Sequence, residues 1–315
     1  MKVLISDKIH EAGIKILEEN GFKLEKKYSL NQEELSKEIQ NFEAIIIRSR
    51  TKLRAEILIK AKKLRIIVRA GVGLDNVDLE KAEELGITVS NTPKAPSVSV
   101  AELTMGLILS LVRHIPNGDK TTHCGEWCKN EYMGNVLKGK KIGLIGFGNI
   151  GTEVAKKAAA FEMDIGIYDV DKDAKKKASA LDYDVYDSVD ELIKYCQIIS
   201  LHIPATVKTE NTIDTRRLSL MNEKTLLINT ARGNLIDEKA LVKAIEEKKI
   251  GGAALDVYRE EPLKNMDLCN CEGNLILTPH IGSQTEETQI EASISAAKKI
   301  IKYFNNFKKK RLKKL

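Results

Sequence analysis

Apolar runs of four or five residues alternate with stretches whose apolar positions recur every three to four residues, along almost the whole chain. Residues 3–6, 22–26, 44–47, 65–68 and 87–90 read as strands, and 11–20, 33–40, 54–62 and 79–85 as helices. Gly86 is placed to end the last of these. Short apolar strands alternating with helices predict βα units and a parallel sheet. NTPKAP at 91–96 breaks the pattern and predicts a crossing between domains. The following run to Arg113 is apolar nearly all round, which predicts a helix buried by a domain or by a partner subunit. A polar segment, 117–137, holds the one tryptophan, Trp127. Alternation then resumes, with strands at 142–145, 181–186, 198–202, 226–229, 252–256 and 275–277. Helices are predicted from 150, over 189–195, near 215–221 and over 237–247, and a last helix from 285 to about 304 is expected to return to the first domain. The fold class is α/β: two Rossmann-like, doubly wound parallel-sheet domains with a cleft between them. The first domain takes residues 1–96 plus 285–315, and the second 97–284.

One stretch organises the rest. After the apolar run 142–145, Gly146, Gly148 and Gly151 form G-x-G-x-x-G, with Asn149 and Ile150 between them as further cofactor contacts, a helical pattern follows from Ile150, and a second apolar run ends at Asp169. The first glycine permits a tight turn, the second lets the backbone approach a pyrophosphate, and the third lets helix and strand pack closely. The helix start supplies N–H groups and the positive end of the dipole. Asp169 stands where a carboxylate accepts the hydroxyls of an adenosine ribose, and Asp171 and Asp173 beyond it would repel a 2′-phosphate. The dinucleotide is expected to be NAD rather than NADP.

Composition changes this picture little. The length, 315 residues, suits about two domains of ~150. No apolar run reaches the ~18 residues of a membrane span, and the N-terminus does not read as a signal peptide. Five cysteines, an odd number, suit reduced thiols. A cytoplasmic location is expected. Net charge is +6, but without the six basic residues of the C-terminal FKKKRLKKL basic and acidic residues balance. That tail reads as a solvated terminus, so neither nucleic acid nor membrane is expected as a partner. His123, Cys124 and Cys128 lack a second pair nearby, so no metal site is expected.

Three motifs follow predicted strands: TARG with Thr230, Ala231 and Arg232, DVYREEP with Asp256 and Glu261, and TPHIG with His280 and Gly282. Ligands bind outside the carboxyl ends of strands in open α/β sheets. The residue types suit hydride transfer from a 2-hydroxy acid. A histidine takes or gives the hydroxyl proton near neutral pH. A carboxylate against its far nitrogen orients the ring and favours the imidazolium. An arginine offers a planar fork for the substrate carboxylate and polarises the reacting oxygen.

Over nearly all of 1–305 the chain resembles the D-isomer-specific 2-hydroxyacid dehydrogenase family, through RAGVGLDNVD, AELT, GLIGFGNIG, NTARG, ALDVYREEP and TPHIG. The resemblance implies that Arg232, Glu261 and His280 are the catalytic arginine, acid and acid/base, and that Asp256 meets the nicotinamide carboxamide. It implies a homodimer built through the NAD-binding domain. Arg48 and Arg50, with Arg69 ahead of Gly71, Val72 and Gly73, put three guanidiniums at predicted strand ends, a phosphate site in type. Asn91 resembles a further substrate contact. The expected substrate is therefore a small phosphorylated 2-hydroxy acid, D-3-phosphoglycerate, oxidised with NAD. Hydroxypyruvate or glyoxylate reduction is the alternative, and a dinucleotide-sensing corepressor a more distant one. Some family members carry a regulatory C-terminal domain; only about ten residues follow the predicted last helix here, so control through such a domain is not expected.

Overall fold

The computed structural model describes residues 1–312, with side chains to Phe307; the basic tail from Lys308 lies outside the described side chains. The chain divides into two compact units, Met1–Pro96 with Ser283–Leu315, and Ser97–Gly282.

The first unit holds β1 (Lys2–Ile5), β2 (Lys23–Lys26), β3 (Ala44–Ile47), β4 (Ile66–Arg69) and β5 (Thr88–Asn91). They pair in parallel in the order β2-β1-β3-β4-β5. The two-residue period of a strand sends Val3, Ile5, Ala44, Ile46, Ile66 and Val68 to one face and Leu4, Ile45, Ile47 and Ile67 to the other. Each face is covered by helices, which is why a strand such as AIII shows no polar alternation. The first face is covered by the helix Glu11–Glu19 and by Ala292, Ala296, Ala297, Ile300 and Phe304 of the final helix, Glu286–Leu312. These two helices pack closely because Gly13 has no side chain: a Cβ there would overlap Ser293, whose hydroxyl donates to His10 O at 2.6 Å. The final helix runs past the expected end near 304, since no Gly or Pro follows Phe304 to stop it. The helix Gln32–Glu38 starts with a capping box between Asn31 and Glu34.

The second unit holds β6 (Lys141–Ile145), β7 (Asp164–Tyr168), β8 (Asp184–Val185), β9 (Ile198–Leu201), β10 (Leu226–Asn229), β11 (Gly252–Leu255) and β12 (Leu275–Leu277). Their order is β12-β11-β10-β9-β6-β7-β8, all parallel. The chain builds outward from β6 to β8, then crosses to β9 on the other side of β6. The switch point where a dinucleotide binds in such sheets is therefore between β6 and β9. The helix Ser97–Val112 buries Ala101, Met105, Ile108 and Leu111 against this unit's own core, with Ile142 and Leu144 of β6 and Val154, Ala155 and Ala158 of the helix Asn149–Ala160. Three helices carried no usable pattern in the sequence. Ile115–His123 buries no residue, Lys172–Ser179 buries only Ala178, and Met266–Cys269 is a single turn. The strand expected over 181–186 shrinks to the two residues of β8, at the sheet edge. No described helix is by itself long and apolar enough to cross a membrane.

Candidate active site

At the carboxyl end of β6 each fingerprint glycine has a separate reason. Gly146 turns with a φ of 104°, and a Cβ there would run into the His202 carbonyl at the end of β9. A Cβ at Gly151 would overlap the Gly146 carbonyl, so the helix can start directly above the turn. Gly148 is different: a Cβ there meets nothing within 4 Å, so the glycine serves no packing need of the protein and leaves an approach open. It is also the N-cap of the helix beginning Asn149-Ile150 and supplies no side-chain cap. A short, open, dipole-positive helix start fits a pyrophosphate.

Asp169, past the end of β7, is held ready. Its Oδ2 accepts from Phe147 N at 2.7 Å, within the glycine turn, and its Oδ1 from Asp171 N at 2.9 Å. Each oxygen keeps a further lone pair for a ribose hydroxyl. Asp171 in turn caps the helix Lys172–Ser179, so a second carboxylate is fixed nearby. The chain's own residues thus fit NAD.

His202, just after β9, is a partly exposed residue whose ring nitrogens are enclosed. Nε2 shares a 2.9 Å hydrogen bond with Ser200 Oγ, and Nδ1 has no partner among the described residues. Burial alone pushes this imidazole down to about 3, so the ring is neutral.

The three sequence motifs follow β10, β11 and β12, which lie side by side. Asn229 ends β10 fully buried and holds the next turn from both sides: Oδ1 accepts from Ala231 N at 3.0 Å and Nδ2 donates to Arg232 O at 2.8 Å. Thr230 shares a 3.0 Å hydrogen bond with Thr104. Arg232 donates to Ala231 O at 2.6 Å. Asp256, 1% exposed, takes three donors from the TPHIG segment: Thr278 Oγ1 at 2.6 Å, Ile281 N at 2.8 Å and Gly282 N at 2.9 Å. A carboxamide contact would be additional to these bonds.

The His280 ring places Nδ1 2.7 Å from Glu261 Oε2. Its Nε2 makes no hydrogen bond among the described residues. Glu261 Oε1 accepts from Tyr258 N at 3.2 Å, and the Tyr258 hydroxyl donates to Thr278 O at 2.8 Å, tying this loop to the strand end that carries His280. Partial burial works to raise the Glu261 carboxyl, but the His280 hydrogen bond and charge, the Tyr258 amide and Arg232 together hold it below the usual carboxylate range. His280 has a φ of 53°, in the left-handed region that few non-glycine residues enter. In chemical terms the arrangement is a carboxylate-backed imidazole with one open nitrogen, on the same sheet edge as a guanidinium.

The expected substrate residues of the first unit sort differently. Asp7, buried at the end of β1, accepts from Arg48 N at 2.6 Å, Thr51 N at 3.2 Å and Arg50 Nε at 3.1 Å. Arg50 also donates to Ser6 O at 2.8 Å. Arg69 donates to Gly73 O and lies 3.7 Å from Asp75. Two of the three guanidiniums are thus engaged locally. The Arg48 guanidinium is part-buried, with Asp7 as its counter-charge, and makes no hydrogen bond among the described residues. Asn91 donates to Val72 O, and Gly71 O accepts from Thr92 N at 2.9 Å, closing the loop of Gly71, Val72 and Gly73. Asn76 fixes the Arg48 loop by donating to Arg48 O and Thr51 O at 2.7 and 2.6 Å. Asp7, Asn76, Asn229 and Tyr258 were not singled out from the sequence. An acid or amide just past an apolar run was the available signal for Asp7 and Asn229.

The sheet order, the glycine turn and the carboxylate of Asp169 beside it define a dinucleotide-binding domain. Residues 105–282 match the family described as D-isomer specific 2-hydroxyacid dehydrogenase, NAD binding domain. A D-3-phosphoglycerate dehydrogenase of Methanocaldococcus jannaschii is 45% identical over 302 residues, which is 96% of this chain and 57% of that protein. A hydroxypyruvate reductase of Thermotoga maritima is 42% identical, covering 87% of this chain and 88% of its own. Among solved structures, the D-lactate dehydrogenase of Aquifex aeolicus complexed with NAD and lactic acid aligns with a TM-score of 0.84 at 31% identity, over 99% of this chain and 97% of its own. The chain belongs to the D-isomer-specific 2-hydroxyacid dehydrogenase family, and its dinucleotide is NAD. It spans little more than half the length of the phosphoglycerate dehydrogenases it matches.

Proposed function

We propose that the protein oxidises D-3-phosphoglycerate to 3-phosphohydroxypyruvate with NAD. The observation that carries the chemistry is the 2.7 Å contact of Glu261 with His280 Nδ1, which leaves Nε2 for the substrate. His280 Nε2 takes the C2 hydroxyl proton as the C2–H bond breaks. NAD, when bound, accepts the hydride. Glu261 holds the ring in orientation and stabilises the imidazolium that forms. Arg232 receives the substrate carboxylate as a fork and polarises the oxygen that becomes the ketone. The reverse reaction uses the same groups, with imidazolium as the acid.

The phosphate reading rests on Arg48, whose part-buried guanidinium lacks a hydrogen-bond partner among the described residues, and on the names of the relatives. Arg50 also holds the Arg48–Thr51 loop through Asp7 and Ser6, and Arg69 the loop from Gly71 to Asp75. The second reading, hydroxypyruvate reduction, is favoured by the Thermotoga maritima relative, which this chain matches over most of both lengths. We further infer a homodimer formed through the NAD-binding unit, where Ile115, Trp127, Met133 and Val136 leave apolar surface exposed. Steady-state rates with NAD and a panel of 3-phosphoglycerate, D-glycerate, D-lactate and glycolate decide between the readings. A kcat/KM highest for 3-phosphoglycerate supports the first; rates equal to or higher with the unphosphorylated acids overturn it.

A further inference from the structure

Glu238 is a charged residue only 7% exposed, the first residue of the helix Glu238–Glu246. Its neighbour Asp237 already caps that helix through Ala240 N, so Glu238 is not needed as a cap. Both of its oxygens instead go to the loop that carries Glu261. Oε1 accepts from Arg259 N at 2.8 Å and Oε2 from Asn265 Nδ2 at 2.8 Å, so the carboxylate spans the loop on either side of Glu261. A buried carboxylate is kept only where such donors compensate its desolvation. The segment between Arg232 and Glu238 rests on the same loop: a Cβ at Gly233 would overlap the Tyr258–Arg259 peptide. The Arg259 side chain donates back to Ile236 O at 3.2 Å.

We propose that Glu238 is a positioning residue for the proton relay, setting the distance and angle at which Glu261 meets His280 and locking the Glu261 loop to the turn that bears Arg232. This rests on the functional reading above. Glu238 touches no reacting atom, and its effect passes through Glu261. Its geometry is demanding, because a loop held at only one of the two points can pivot about the other. Displacing a catalytic contact by about an ångström costs up to about 100-fold in rate.

The test uses the full chain and a reciprocal exchange. Glu238→Gln keeps an acceptor for Arg259 N but turns an amide donor toward Asn265 Nδ2. Asn265→Asp sets two carboxylates face to face. Each single change should lower kcat by about 10- to 100-fold with NAD affinity unchanged. The double variant Glu238→Gln/Asn265→Asp restores a donor–acceptor pair and should recover most of the loss. Because the effect passes through Glu261, Glu238→Gln should add little on top of Glu261→Gln, a non-additivity that a fold defect would not produce. The inference is overturned if Glu261→Gln is slow while both single exchanges turn over normally, or if the Glu238→Gln loss is undiminished in the Glu261→Gln background. A Glu261→Gln variant with normal turnover overturns the relay itself, and the inference with it.

Discussion

Glu261 Oε2 stands 2.7 Å from His280 Nδ1, and the same carboxylate accepts the Tyr258 amide through its other oxygen. The ring is thus oriented by a group that is itself held from behind. His280→Ala should reduce kcat by about 10²- to 10⁴-fold, the usual worth of a positioned acid/base, with NAD affinity within about twofold of wild type, as the role proposed for the imidazole on the substrate requires. Steady-state kinetics paired with an NAD titration check this. Retention of kcat within about tenfold, roughly 1.4 kcal/mol of barrier, would exclude His280 as the acid/base.

Asp169→Ala should weaken NAD by about tenfold or more, since hydrogen bonds to a charged acceptor are worth about 1.5–3 kcal/mol. It should also narrow the preference against NADP by removing a charge that repels the 2′-phosphate. Paired KM measurements with both dinucleotides give the answer, and a wild-type preference for NADP would refute the assignment outright.

Arg48→Ala should raise KM for 3-phosphoglycerate by about 10- to 100-fold on the same energetic scale, and leave turnover of D-glycerate, expected to be poor in wild type, nearly unchanged. The comparison separates a phosphate contact from general damage, which would harm both substrates. Arg50→Ala should in addition lower stability, because Arg50 pairs with the buried Asp7.

His202 makes the protein sensitive to acid. Its folded imidazole, pushed to about 3 by burial, lies below the ordinary value of about 6.5 it regains on unfolding. The unfolded chain therefore binds the proton first. The contribution is complete above about pH 6.5 and is lost as pH falls from there toward 3. Between pH 6.5 and pH 5 this amounts to about 2 kcal/mol. Urea unfolding at the two values should show the loss in wild type and a smaller one in His202→Gln; equal losses would show that the ring is solvated.

Sequence pattern carried the parallel sheets, because strands covered on both faces must be continuously apolar, as in Ala44–Ile47 and Leu226–Asn229. It carried the glycine turn for the same steric reasons that operate at Gly146 and Gly151. Periodicity failed where burial is slight: the helix Ile115–His123 buries no side chain, so it leaves no apolar stripe to read. It also could not say which charged groups are already engaged. Arg48 and Arg50 look equivalent in RSR, yet only the folded chain sets Arg50 against Asp7, 43 residues earlier. Glu238 was invisible for a related reason, since its neighbour Asp237 accounts for the local capping signal.

The return of the helix Glu286–Leu312 to the first sheet bears on how the protein is born. Ala292, Ala296, Ala297, Ile300 and Phe304 cover a face of Val3, Ile5, Ala44, Ile46, Ile66 and Val68, residues made before Ser97–Gly282. That face waits until Glu286–Leu312 has followed Ser97–Gly282 out of the ribosome, whereas Ser97–Gly282 is one uninterrupted segment and can fold as soon as it emerges. The unit whose strands are made before Ser97–Gly282 is thus completed after it, with part of one sheet face left uncovered in the interval.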